Sequence, residues 1–198
     1  MTDRTASTTR TTKETTITAT LEIDGSGKTE VSTGLPFFDH MLDQLGRHGV
    51  MDLHVAATGD LHVDAHHCVE DVGIVLGELL KQAMGDKVGI ARYANRTVPL
   101  DEALVEVILD VSGRPFIDYD IHFAPDTPGL GNPPFDPQLA EEFFRAFVVA
   151  AGLTAHLTMR KGKNTHHIVE ATFKAFARAL RDALTVTGTL LPSTKGTL

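Results

Sequence analysis

A short motif that occurs twice constrains this chain more than any other feature. The letters HHCVE at 66–70 and HHIVE at 166–170 each open a stretch with the apolar spacing of an amphipathic helix. Upstream of each copy a glutamate, Glu14 or Glu102, precedes a β-branched, alternating strand. Because both halves have the same order of elements, we predict an α+β fold of two duplicated half-domains. Each half should be a small sheet covered by helices on one face.

The domain boundaries follow from composition and from this repeat. Residues 1–12 are polar and rich in threonine, which predicts a disordered arm. We expect the first half over 13–90, the second over 91–188 and a C-terminal polar tail over 189–198. Inside the halves, the letters at 24–28 and at 112–113 each predict the turn of a hairpin, and DLHVDA at 60–65 predicts a further strand.

The charge and the cysteine content exclude several classes of protein. Lys and Arg number 18 against 26 Asp and Glu, a formal net charge of −8, and so acidic a surface argues against a nucleic-acid partner. No apolar stretch approaches the roughly 18 residues of a membrane span. The single cysteine, Cys68, rules out a disulfide within the chain. We therefore expect a cytoplasmic protein with no membrane partner.

The repeated motif contains residue types that bind metal ions. On a helix, His66 and Glu70 share a face, while His67 points about 100° further round the axis. Imidazole and carboxylate together suit Mn, Fe, Co, Ni or Zn, and the lack of paired cysteines argues against structural zinc. One histidine pair at a helix start is more often a solvated cap. Two copies with glutamate at the same offset favour metal binding, at 66–70 and at 166–170 alike.

Further histidines and a few basic residues could complete such a site. His40 and His156 each lie in a segment that leads to one of the motifs. Guanidinium, ammonium and hydroxyl groups bind anions well, and the candidates for this role are Arg92, Arg114, Lys174, Ser193, Thr194 and Lys195.

Two other classes of function stay open from the residues alone. A hydrolase that activates metal-bound water is one, although the HExxH order of many such enzymes is absent. A metal-buffering or metal-sensing module is the other, although such a module has no need of the basic residues. Thermal stabilisation by a phosphorylated ligand would separate an enzyme from a buffer, because a ligand stabilises only the state that binds it.

Segments longer than the repeated motif resemble those of a known protein family. They are RTTKET, PFFDHMLDQLGRHG, DAHHCVEDVGIVLG, VPLDEAL, DVSGRPF, HHIVEATFKAFARAL and PSTKG, and they span nearly the whole chain after residue 10. The doubled HHxxE, combined with DHML and a terminal PSTKG, is highly specific. In these segments the chain resembles the imidazoleglycerol-phosphate dehydratase family, whose members act in histidine biosynthesis.

The resemblance implies an activity, a cofactor and an assembly. The activity is that of a lyase that removes water from D-erythro-imidazole-glycerol phosphate and gives imidazole-acetol phosphate. The cofactor is Mn²⁺, with two ions per active site. The assembly is a homo-oligomer of twenty-four chains whose active sites lie between subunits.

The resemblance also implies roles for individual residues. Glu14 would be the catalytic acid–base group, and Gln44 would line the substrate pocket. The substrate phosphate would be bound by Arg92, Arg114, Lys174 and the tail residues Ser193, Thr194 and Lys195. The metal ligands would be His40, His66, His67, Glu70, His156, His166, His167 and Glu170.

Overall fold

A computed structural model describes residues 4–198, and within them the chain forms two halves with the same order of elements. The first half consists of β1 (Thr5–Thr11), β2 (Thr15–Glu22), β3 (Thr29–Ser32), α1 (Pro36–Gly49), β4 (Asp52–Gly59) and α2 (His66–Met84). The second consists of β5 (Tyr93–Leu100), β6 (Ala103–Asp110), β7 (Phe116–Asp120), α3 (Leu139–Ala151), β8 (Thr154–Lys161) and α4 (Thr165–Leu184). The predicted duplication is confirmed.

Each half contains one four-stranded sheet. The strand orders are β1-β2-β4-β3 and β5-β6-β8-β7, so the two sheets have the same topology. In each sheet the first three strands of that order pair antiparallel, and the last strand pairs parallel with its neighbour. One face of each sheet packs on helices, α2 on β1 and β2, and α4 on β5 and β6. The α+β architecture predicted from the repeat is therefore the observed one.

The two predicted hairpins are wrong in their pairing, although their strands exist. β4 lies between β2 and β3, and β8 lies between β6 and β7, so neither predicted pair is adjacent. The turn at 24–28 is instead tied to the start of β4, because the Asp52 carboxylate accepts the N–H groups of Ser26 at 2.6 Å and Lys28 at 2.9 Å. Alternation along a strand predicts which face is buried but does not name the partner strand.

Two further predictions are corrected by the fold. Residues 5–11 of the predicted disordered arm form β1, which pairs with β2 along its whole length. Its β-branched threonines favour extended backbone, and Ala6 packs into the core; residues 1–3 lie outside the described part of the chain. The predicted strand at 60–65 is a series of turns, since β4 already ends at Gly59.

The junction between the halves is made by helices. α2 packs against α3, and α1 packs against α4. The first of these contacts depends on two glycines of α2: a Cβ built on Gly73 would lie 2.8 Å from the carbonyl oxygen of Phe143, and one on Gly77 would lie 2.5 Å from that of Phe147. Only the absence of a side chain lets these backbones approach so closely. No helix in residues 4–198 has the length and apolar content to cross a membrane.

Substitution of Gly77 should loosen this junction. A methyl group on Gly77→Ala must push α3 away, and we expect a net loss of about 1–3 kcal/mol in the free energy of unfolding, despite the higher helix propensity of alanine. Gly188→Ala is the matched control, because a Cβ there meets no atom within 4 Å. Denaturant titration of both variants measures the effect, and equal midpoints for the two would contradict the packing argument.

Candidate metal centre

Three predicted ligands meet where the two halves join. His40 lies on α1, and His166 and Glu170 lie one turn apart on α4. Oε2 of Glu170 is 2.9 Å from Nε2 of His166 and 3.2 Å from Nε2 of His40. Because α1 belongs to the first half and α4 to the second, this cluster exists only through the packing of the halves.

Local interactions hold each member of the cluster in place. The side chain of Asn164 caps α4 by accepting the N–H of His167 at 3.2 Å, which fixes the first turn that carries His166. The Phe37 ring stands edge-on to the His166 imidazole, with the ring centroids 5.1 Å apart. Nε2 of the buried Gln44 lies 3.4 Å from Nδ1 of His40, so the predicted substrate-pocket residue adjoins the cluster.

The Glu170 carboxylate is kept ionised. Burial is the largest single influence and raises its pKa, but Lys174, His166 and His40 together outweigh burial and hold the pKa at about 2. Nζ of Lys174 lies 2.5 Å from Oε1, whereas Oε2 faces the two imidazoles. One carboxylate oxygen is thus neutralised by a lysine, and the other is directed at nitrogen donors.

The donor set of this cluster fits a divalent cation. Its two imidazole nitrogens and one carboxylate oxygen lie within 4.8 Å of one another, and such N/O sets bind first-row divalent metals. Among residues 4–198 it is the one group of three His, Cys, Asp or Glu side chains that meets this distance. The sequence predicted all three members, and the structure brings them together across two helices.

The first-half motif has a similar ring geometry but no such cluster. The rings of His66 and His67 are 6.2 Å apart with an interplanar angle of 85°, against 6.2 Å and 81° for His166 and His167. The structure does not bring Glu70 together with His66 and His67 in the way that it gathers the second-half cluster. The first-half histidines therefore present their rings at the start of α2 without a third ligand from the described chain.

Another predicted ligand, His156, lies on β8. It is exposed between the buried Ala155 and Leu157, so it is on the face of the second sheet turned away from the core, and its Nδ1 is 3.3 Å from Oδ2 of Asp118 on β7. The Phe116 ring is 5.5 Å from it, centroid to centroid. Within one chain, His156 does not join the cluster of His40, His166 and Glu170.

The predicted anion-binding residues gather at the edge of this same sheet, with the exception of Lys174. Nε of Arg92 donates to Asp110 at 2.7 Å, and its Nη1 donates to the carbonyl oxygen of Pro192 at 2.6 Å. Arg114 is also beside Asp110, at 3.9 Å, and its side chain is 65% exposed. Beyond Pro192, the tail folds on itself, with the N–H of Lys195 donating to Oγ of Ser193 at 3.2 Å; Thr194 lies between these two residues.

Two carboxylates without a predicted role contact the motif histidines. Oδ2 of Asp60 is 3.0 Å from Nδ1 of His67, and Oε2 of Glu102 is 2.8 Å from Nδ1 of His167. These hydrogen bonds raise the pKa of each imidazole, and Glu14 lies near enough to His67 to raise the pKa of that ring further. The duplication was a signal for Glu102, because Glu102 and Glu14 hold corresponding positions; no pattern in the sequence pointed to Asp60.

Known proteins resemble this chain over nearly its full length. The family model of imidazoleglycerol-phosphate dehydratase matches residues 33–180. The imidazoleglycerol-phosphate dehydratase of Albidiferax ferrireducens is 56% identical over 98% of this chain and 95% of the relative. That of Nitrosomonas europaea is 54% identical over 98% of each.

Solved structures agree with these sequence relatives. The imidazoleglycerol-phosphate dehydratase of Staphylococcus aureus is 39% identical, with a TM-score of 0.82, over 92% of this chain and 99% of that one. The enzyme from Pyrococcus furiosus, in complex with (S)-C348, is 35% identical, with a TM-score of 0.80, over 96% and 100%. The fold, including the duplicated halves, is therefore shared with experimental structures.

The low pKa of Glu170 makes a pH-dependent contribution to stability. Its pKa falls from an ordinary 4.5 to about 2 on folding, so the ionised group stabilises the fold fully above the ordinary value and loses this effect as the pH falls toward the folded value. Denaturant titration without metal should give a stability difference between the unaltered chain and Glu170→Gln that shrinks over this acid range. A difference that stays constant as the pH falls would contradict the assignment.

Proposed function

The chain belongs to the imidazoleglycerol-phosphate dehydratase family, and from this premise we propose that its activity depends on divalent metal ions, with Mn²⁺ as the cofactor. The enzyme is a dehydratase, a carbon–oxygen lyase of histidine biosynthesis. The observation that carries the metal proposal is the cluster of His40, His166 and Glu170, whose ligand atoms lie within 4.8 Å of one another.

The proposed reaction removes water from D-erythro-imidazole-glycerol phosphate and gives imidazole-acetol phosphate. The difficult step is the removal of a carbon-bound proton that has no carbonyl group beside it. A bound divalent ion supplies Lewis-acid polarisation of the substrate. The residues of the chain must therefore bind the phosphate, hold the ring still and accept the proton.

Eight residues are proposed to hold two ions. His40, His166 and Glu170 already form one donor set, and Glu170 is ionised in it. His67 and His167 each have Nδ1 engaged by a carboxylate, which leaves Nε2 as the nitrogen that would bind metal. Nε2 of His167 lies 3.9 Å from Oδ2 of Asp101, beyond hydrogen-bond distance. The others of the set, which stand as proposals from the family resemblance, are His66, Glu70 and His156.

Glu14 is proposed as the acid–base group. It lies in the turn between β1 and β2, where its N–H donates to Oγ1 of Thr12 at 3.1 Å. Across residues 4–198, its carboxylate takes part in no hydrogen bond or ion pair. A carboxylate that is fixed through its backbone, close to His67 and otherwise uncommitted can take a proton from a substrate held beside the ring.

The phosphate is proposed to bind near Arg92 and Arg114. Arg92 is anchored by Asp110 and by Pro192 of the tail, whereas the guanidinium of Arg114 is largely exposed and available to an anion. Ser193, Thr194 and Lys195 follow Pro192 directly and would close over the phosphate. Lys174 faces Glu170 in the free chain, and Gln44 adjoins His40; their contact with substrate is part of the same proposal.

We further propose that active sites form between copies of the chain, in a homo-oligomer of twenty-four. Arg92 contacts the last turn of α4, where its N–H donates to the carbonyl oxygen of Ala183, whereas Glu170 lies near the first turn. Ala183 is 13 residue steps along the helix from Glu170, a rise of about 20 Å. The proposed substrate, an imidazole ring joined by a three-carbon chain to one phosphate, does not bridge that distance, so we propose that a second copy brings Arg92 and Arg114 to the metal ligands.

An exposed apolar surface supports this assembly. Tyr93, Ile108 and Phe116 are 60%, 44% and 52% exposed in the single chain. Ile108 is paired with His156 across the β6–β8 register, and Phe116 packs on His156. Apolar side chains beside an unplaced ligand suit contact with another subunit.

The proposed compartment is the cytoplasm. The one cysteine, Cys68, is fully buried, and burial raises the pKa of its thiol to about 11. A chain whose core relies on no disulfide is suited to a reducing compartment.

Replacement of Glu14 tests its role in proton transfer. Glu14→Gln should lower turnover by about 10²–10⁴-fold, because an amide cannot accept the proton. Metal content, measured on the same purified sample, should equal that of the unaltered chain. Turnover near the original value would remove Glu14 from the mechanism, and loss of metal together with turnover would assign it to ligation instead.

Mixing of two inactive variants tests the shared site. Arg114→Ala and Glu170→Gln should each be inactive alone, because each substitution removes a required side chain from every site of its own assembly. If the two groups come from different copies, co-assembly at equal ratio should restore activity to about one quarter of the original, because one site in four would receive both intact residues. Native mass spectrometry measures the assembly number, and a mixture without activity would contradict the proposal.

A further inference from the structure

We infer that Asp60 and Glu102 are positioning residues that hold His67 and His167 with Nε2 free for a metal ion, and that Asp60 thereby leaves Glu14 available for proton transfer. This inference rests on the metal dependence proposed above. It concerns two residues that the sequence patterns did not assign to the site, one in each half of the chain.

The two histidines are held in the same way. In both cases Nδ1 faces a carboxylate oxygen, at 3.0 Å for His67 and at 2.8 Å for His167. A carboxylate accepts from Nδ1–H and so favours the tautomer whose lone pair is on Nε2. Metal-binding histidines commonly use such a carboxylate to fix the ring and to raise its basicity.

The carboxylates come from different positions of the duplicated unit. Glu102 directly precedes β6, and its first-half counterpart, directly before β2, is Glu14. Asp60 lies one residue beyond Gly59, which pairs with Thr15 on β2. In the second half a bulge shifts the β6–β8 register, so the residue that lies opposite Glu102 and corresponds to Asp60 is Lys163. The shared geometry is therefore not a simple copy of one ancestral contact.

The second half has no carboxylate at the other position. The residue there is Lys163, whose cationic side chain cannot accept a hydrogen bond from an imidazole N–H. Glu102 therefore holds His167, and its Oε1 also accepts the N–H groups of Lys163 at 3.1 Å and Asn164 at 2.7 Å. These bonds fix Glu102 against the start of α4.

In the first half, Asp60 and Glu14 have different roles. Oδ2 of Asp60 is used by His67, whereas its buried Oδ1 has no hydrogen-bond partner in the described chain. Within residues 4–198, the Asp60 carboxylate therefore makes its hydrogen bond to His67. Because Asp60 occupies Nδ1, Glu14 is not needed there, and its carboxylate stays uncommitted.

Stability alone gives a weak reason for these pairs. In the first pair the side chains of His67 and Asp60 are 35% and 19% exposed, and in the second those of His167 and Glu102 are 28% and 39% exposed. Ion pairs that stay in contact with water contribute little to folding. Ring orientation for a ligand accounts for the repeated Nδ1 contact better than folding stability does.

The test is the affinity for Mn²⁺ of the metal-depleted full-length protein, measured by titration with electron paramagnetic resonance of free Mn²⁺ as the readout. Asp60→Ala should weaken binding by about 10- to 100-fold, the usual effect of losing such a partner. Glu14→Ala is the matched control and should bind Mn²⁺ like the unaltered chain, although it is inactive.

Amide variants separate ring orientation from loss of charge. In Asp60→Asn the amide oxygen can still accept from Nδ1–H of His67, because the NH₂ group can take the place of Oδ1, which has no hydrogen-bond partner. The affinity for Mn²⁺ should therefore be close to that of the unaltered chain and well above that of Asp60→Ala. In Glu102→Gln the oxygen is required by the N–H groups of Lys163 and Asn164. Its NH₂ must then face His167 and reverse the tautomer, so binding should weaken strongly.

Each outcome has a distinct meaning. A small loss of Mn²⁺ affinity in Asp60→Asn together with a large loss in Glu102→Gln supports the inference. This comparison stands even if Asp60→Ala does not fold. Equal effects of the two amides, or full affinity in Asp60→Ala, would overturn the inference while the proposed function stands. Failure of the unaltered chain to bind Mn²⁺ would overturn both.

Discussion

The packing of α1 against α4 is the contact on which the site depends. Each half exposes an apolar helix surface that it cannot bury by itself, and the two halves bury these surfaces against each other. Gly73 and Gly77 allow α2 and α3 to approach closely at the same junction. His40 meets His166 and Glu170 only because this junction forms, so the hydrophobic effect that joins the halves also brings the three proposed ligands together.

The site gathers negative charge and compensates for it locally. Burial would protonate Glu170, but one lysine and two imidazoles keep it ionised. Asp60 and Glu102 add carboxylates that each engage one imidazole nitrogen. A divalent ion would engage the Glu170 carboxylate and the imidazole nitrogens together. This balance links the stability of the site to the cofactor that is proposed for it.

Duplication produced two similar halves whose chemistry has diverged. Both retain the histidine pair with nearly the same ring angle and a glutamate before the second strand. Only the first half has a second carboxylate beside this glutamate, Asp60, where the second half has Lys163. A single difference of this kind frees one glutamate for another task, which is how a symmetric ancestor can give an asymmetric catalyst.

The sequence by itself determined the duplication, the helix starts and the ligand types, because helical periodicity and a repeated HHxxE are local patterns. The resemblance to a known family, carried by longer segments, also predicted His40, His166 and Glu170 as members of one ligand set, although they lie on two helices. Only the tertiary structure decided that β3 and β7 pair parallel with the later strands β4 and β8, since alternation carries no information about the partner. It alone placed Asp60 on His67, and it alone separated His156 and Arg92 from the metal cluster. These are contacts between residues far apart in the chain, and they depend on how whole elements pack rather than on any short stretch of residues.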